Sequence, residues 1–170
     1  MNPAKRIIVN TAVQYAKAII TLALTLYSTR LVLDALSVND YGIYMVIAGV
    51  VAMLGFITNA LAITTQRYLS YNQAQGDIPH LKKIFVNSLF IHLVFGLLVV
   101  AALLALRGVL FDYVLNIDPL RVPTAKEIYV ISAFMLLVTI LSSPYKALLI
   151  AHENIVYIAI VEIVDAIVKL

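Results

Sequence analysis

Long apolar runs, each closed by a short polar cluster, divide the chain into five segments: residues 7–33, 41–65, 84–106, 128–150 and 154–170. A helix needs about 20 predominantly apolar residues to cross the hydrocarbon core of a bilayer, and the first four segments reach that length. Barrel strands would appear as segments of about ten residues with apolar and polar positions alternating. These runs are longer and do not alternate. The pattern predicts an all-α, polytopic membrane protein with five transmembrane helices. Connections are expected at 34–40, at 66–83 with Gly76, Asp77 and Pro79 as turn signals, and at 107–127 with Asp118, Pro119 and Pro123 as breakers.

Composition sharpens this picture. The chain is 63% hydrophobic and 12% charged, where a soluble domain carries about 25% charged residues. A soluble enzyme is excluded. The net charge of +3 comes from scattered lysines and arginines, not from a basic stripe, so no nucleic-acid partner is implied. The bilayer itself is the expected partner. Cysteine is absent, which excludes disulfides and thiolate metal sites. Lys5 and Arg6 followed by an apolar run resemble a signal peptide. The run is too long and lacks a small-residue cleavage site, so a retained first span is expected.

Lysine and arginine also orient the chain. With a cytoplasmic N-terminus, the inner positions hold Lys5, Arg6, Arg67, Lys82, Lys83 and Lys146. The outer positions hold Arg30, Arg107, Arg121 and Lys126, and 35–40 holds no basic residue. The balance predicts an N-terminus inside, with 35–40 and 107–127 outside. Arg30 is expected to pair with Asp34 one turn later. Tyr41, Tyr44, Tyr68, Tyr71 and Tyr145 fall near span ends, as an interfacial belt requires. The fifth segment stops without a polar flank and is read as cut short.

Candidate chemistry lies inside the spans. In the first, Asn10, Gln14, Lys17, Thr21, Thr25 and Ser28 recur at helical spacing and form one polar stripe. Such a stripe faces a water-filled cavity or bonds to other helices, and Lys17, well inside the span, favours the cavity. In the second, Ala48, Ala52, Gly55, Asn59, Ala62 and Gln66 form a small-residue stripe expected to serve close packing, with Asn59 also in reach of a cavity. In the fifth, Glu162, Asp165 and Lys169 share a face and are read as lining an aqueous path. Gln14, Lys17, Thr21, Asn59, Glu162, Asp165 and Lys169 are the candidate pathway residues for an anionic substrate or a coupling ion. The alternative is pairing of Glu162 with Lys17 and of Asp165 with Lys169, which would only hold helices together. His92 reads as a packing residue. No HExxH, Walker or GxSxG motif is present, so no catalytic residue, metal or cofactor is implied.

Three stretches carry a resemblance: RLVLDALSVNDYGIY at 30–44, TQRYLSYNQAQGD at 65–77 followed by LKKIF, and PYKALLIAHENI at 144–155. In this order and spacing the chain resembles the O-antigen and capsule-repeat flippases of the multidrug/oligosaccharidyl-lipid/polysaccharide exporter superfamily, over essentially its whole length. The resemblance implies a lipid-linked oligosaccharide substrate, alternating access between two helix bundles, and residence in the bacterial inner membrane. Such transporters have 12 to 14 spans, so the chain is expected to be the N-terminal portion, part of the first bundle, with the C-terminal bundle as its partner. Rival readings are a drug or ion exporter of the same superfamily, a membrane-embedded glycan-biosynthesis enzyme, and a small regulatory subunit.

Overall fold

The computed structural model describes residues 3–168, and within them the chain is helical with no strand. Six α-helices follow in order: α1 (Pro3–Ala35), α2 (Val38–Ala52), α3 (Gly55–Gln75), α4 (Ile78–Val109), α5 (Val122–Ala151) and α6 (Ile155–Val168). A π turn, Leu110–Val114, extends α4. Among the described residues, four stretches are long and apolar enough to cross a membrane: Ile7–Ala35, Val38–Gln75, Ile78–Val114 and Val122–Ala151. α6, with 14 residues, is about 21 Å long, shorter than the roughly 30 Å core. The fifth span was expected to run to residue 170, and its last two residues lie outside the described ones.

The connections are shorter than the sequence suggested. The stretch 66–83 is not a loop: α3 runs to Gln75 and α4 begins at Ile78. Gly76 makes the turn with φ 74°, a left-handed conformation that costs glycine nothing. The Asp77 side chain then accepts a hydrogen bond from the His80 amide at 3.0 Å, capping α4. Pro79 and Pro123, read as breakers, instead sit in the first turns of α4 and α5. There the amide that proline lacks has no helical partner to lose. The polar residues of 66–75 and 78–83 therefore prolong two helices, and Leu69, Leu81 and Ala147 form a small core between them and α5. The stretch 107–127 likewise shrinks, leaving 115–121 between the π turn and α5.

The second span is broken. Between α2 and α3 the Leu54 amide bonds to Val51 O at 3.1 Å, and the Ile57 and Thr58 amides both turn to Leu54 O. Met53 and Leu54 keep right-handed backbone angles. The α-helical ladder is therefore interrupted by a pair of tightened turns, without proline, next to Gly55.

α5 is the hub, packed against α4, α3 and α2. The main core joins Ile47 and Val51 of α2, Leu103 of α4, Phe111 of the π turn, and Ala125, Tyr129, Ala133, Leu136 and Ile140 of α5. Tyr129 donates to Leu103 O at 2.9 Å and meets Phe111 edge to face, with ring centroids 5.7 Å apart. α4 and α5 pack tightly at Gly96, where an added Cβ would lie 2.7 Å from Leu137 Cδ1 and 3.3 Å from Ile140 Cγ2. α1 stands apart from this core: it packs mainly on α6, touches α2 thinly, and α6 itself contacts α5 only lightly. The protein is thus a four-helix body, α2 to α5, flanked by an α1–α6 pair.

The ends of the spans meet as expected on one side. Asp40, at the start of α2, pairs with Arg121, at the start of α5. Segments 35–40 and 115–121 therefore share one end of the bundle, and the Gly76 turn lies at the other. Ser37 caps α2 by accepting from the Asp40 amide at 3.2 Å while donating to the Asp40 carboxylate at 2.8 Å. The expected Arg30–Asp34 pair is present at 3.9 Å and exposed.

Candidate functional site

A cleft of about 960 Å³ separates α3 and α5 from α6. Its α3 wall is Thr58, Asn59, Ala62, Ile63 and Gln66. Its α5 wall runs from Met135 and Val138 through Ser142 and Ser143 to Lys146, and α6 contributes Ile158, Val161, Glu162 and Asp165. The cleft exists because α6 leans on α1 instead of filling the groove between α3 and α5.

Of the small-residue stripe, Asn59, Ala62 and Gln66 face this cleft. They do not mediate close packing, which is a correction to the sequence reading. The packed positions lie one residue away, at Ile47, Val51, Thr58 and Thr65, with Leu69 and Asn72 further along. A Cβ on Gly55 would meet nothing within 4 Å. The tight contact falls instead on α4, whose buried positions Ser88, His92, Gly96 and Val100 recur every four residues. That spacing of small and polar residues was a readable signal for close packing in the sequence. His92 is 1% exposed. Its Nδ1 lies 2.8 Å from Ser88 O, and its Nε2 has no hydrogen-bond partner.

The charged candidates converge in part. Glu162 stands between two lysines: its Oε2 takes Lys17 Nζ of α1 at 2.5 Å, and its Oε1 takes Lys146 Nζ of α5. Three helices are joined by one carboxylate. Helix geometry accounts for the meeting. Lys17 lies on the face of α1 turned to α6, in register with Thr21 and Ser28, while Glu162 sits midway along α6. Lys146 lies five residues from the end of α5, about 8 Å from it, and reaches back across the cleft. The three side chains differ in exposure: Lys17 is 21%, Glu162 30% and Lys146 57% exposed. Lys146, read from the sequence as an orientation signal only, is the member missed. Its proximity to Glu162 depends on the α5–α6 turn, which no spacing rule gives. Asp165, one turn beyond Glu162, lines the same cleft. Lys169 lies outside the described residues.

The rest of the first-span stripe divides. Thr25 and Thr29 donate back to the carbonyls of Thr21 and Thr25, at 2.8 and 2.9 Å. Such bonds satisfy a hydroxyl within its own helix. Thr21 Oγ1 is buried without a partner. Gln14 is exposed on α1 and, like Lys17 and Thr21, does not line the cleft. The structure thus gathers Asn59, Glu162 and Asp165 around one cleft and ties Lys17 to its edge through Glu162. Gln14 and Thr21 stay on α1.

Among the described residues, no three His, Asp or Glu side chains converge as a metal site. No protein-family model, curated protein or solved structure matches the chain.

Proposed function

We propose that the protein is a membrane transporter of the flippase type. In this reading it moves a lipid-linked oligosaccharide across the inner membrane for cell-surface polysaccharide synthesis, with its N-terminus cytoplasmic and its helices in the first of two bundles. The observation that carries the reading is the cleft. Ionisable groups inside a membrane segment are costly and mark substrate or ion paths, and here Lys17, inside the first membrane-length stretch, is tied through Glu162 to a groove lined by Glu162, Lys146, Asn59, Gln66, Ser142 and Ser143. A groove with an apolar stretch and a charged end suits a lipid carrier whose phosphate is anionic. The separate standing of the α1–α6 pair also fits alternating access, which needs bodies that can move against one another.

The test is surface glycan made by cells whose own gene copy carries Lys17→Ala or Glu162→Gln, with membrane abundance of the protein checked in parallel. The reading expects glycan to fall and its lipid-linked precursor to accumulate. Normal surface glycan in both variants would remove these residues from transport.

A further inference from the structure

The three-helix ion cluster is asymmetric in a way that assigns different tasks to its two lysines. Lys17 is the less exposed and does not line the cleft. Lys146 is the more exposed and forms part of the cleft wall. A group arriving through the cleft meets Lys146 first, while Lys17 sits behind Glu162. We propose that Lys146 is an exchangeable cation: a phosphate or diphosphate ester entering the cleft takes Lys146 from Glu162, which stays neutralised by Lys17. This deepens the transport reading and rests on it for the identity of the natural ligand.

The chemistry favours such an exchange. An ammonium group holds a phosphate oxygen as readily as a carboxylate oxygen, so Glu162 occupies the place of the ligand's anion when the cleft is empty. Its loss of Lys146 is tolerable only because a second cation remains on its other oxygen, since an unpaired carboxylate there would be costly. Ser143, one turn before the lysine, lines the same wall and offers a hydroxyl as a further donor, whereas the Ser142 hydroxyl already donates to Thr139 O at 2.9 Å. The walls also grade along α5: Met135 and Val138 lie two to three turns from Lys146, towards mid-span. The fitting ligand is therefore an amphiphile, with its anionic head at Lys146 and its chain along those apolar residues. Exchange would also unfasten α6 from α5, because their remaining contact is light.

The experiment is binding to the protein in phosphatidylcholine nanodiscs, with farnesyl diphosphate, inorganic diphosphate and farnesol as probes. Glu162→Gln removes the internal competitor and should tighten farnesyl diphosphate binding about fivefold, the scale of one exposed ion pair. Lys146→Ala keeps the Lys17–Glu162 pair intact and should weaken binding at least about tenfold. Arg67→Ala, an equal change of charge away from the cleft, should leave it unchanged. Farnesol should not compete. Inorganic diphosphate binding as well as the farnesyl ester would keep the exchange and make a soluble anion its ligand. Unchanged or weaker binding in Glu162→Gln, or wild-type binding in Lys146→Ala, would overturn the proposal. Exchange without glycan export would sink the flippase reading alone, and export with unaltered Glu162→Gln affinity would sink the exchange alone.

Discussion

If Lys17 holds α6 in place and Lys146 is the arm that lets go, the two bonds to Glu162 must differ in strength. The exposures set the scale. Lys17 and Glu162 are 21% and 30% exposed, with the atoms 2.5 Å apart. A charge-assisted bond of this kind contributes about 1.5–3 kcal/mol. Removing Glu162 also strands Lys17 inside a span, where insertion scales charge about 2.5–3.5 kcal/mol at the centre, less what the long side chain recovers by reaching towards the interface. Lys146 is 57% exposed, and a pair that open to solvent gives about 0–1 kcal/mol. Double-mutant cycles built from Lys17→Met, Lys146→Met and Glu162→Gln should therefore show a coupling of about 1.5–3 kcal/mol for Lys17 with Glu162. For Lys146 with Glu162 the coupling should be below about 1 kcal/mol. Unfolding in mixed micelles followed by far-ultraviolet circular dichroism reads both. A larger coupling at Lys146, or none at Lys17, would refute the division of labour.

Two further predictions concern the four-helix body. Gly96→Val should separate α4 from α5 and cost about 1–3 kcal/mol in the same unfolding assay. Gly96→Ala should cost less, because Leu137 Cδ1 can swing away and alanine gains about 1 kcal/mol of helix propensity over glycine. Tyr129→Phe removes the 2.9 Å bond to Leu103 O and should cost about 0.5–1.5 kcal/mol, whereas Tyr129→Ala, which also empties the contact with Phe111, should cost about 3–5 kcal/mol.

The helical architecture was legible because apolar run length is a direct consequence of bilayer thickness, and the first four runs all became membrane-length stretches. Where the reading failed, local polarity was mistaken for loop. The polar residues around Arg67 and Lys82 remain helical because helices continue past the membrane boundary, and Pro79 and Pro123 begin helices because a first-turn proline loses no bond. The break at Met53 and Leu54 left no mark, since neither residue is a helix breaker and the interruption comes from tightened turns. At the site, Lys17 and Glu162 were visible as charges in apolar runs, and their pairing was one of the two arrangements left open. Lys146 was hidden because it lies near a span end, where a lysine is ordinarily an orientation signal. The placement of the cleft depended on α6 packing on α1, a tertiary choice that periodicity within single helices does not encode.

The central claim is that the cleft between the four-helix body and α6 is a watery path and not a lipid-filled seam. The chain has no cysteine, so single cysteines report cleanly. Asn59 and Ser142 line the cleft. Phe90 and Leu98, 66% and 64% exposed on α4, lie outside it and supply lipid-facing controls. A thiol reacts through its thiolate, which forms in water and not in hydrocarbon. In native membranes, a charged, water-soluble methanethiosulfonate should modify cysteines at 59 and 142 at least about tenfold faster than those at 90 and 98. Equal, slow modification at all four positions would contradict the account.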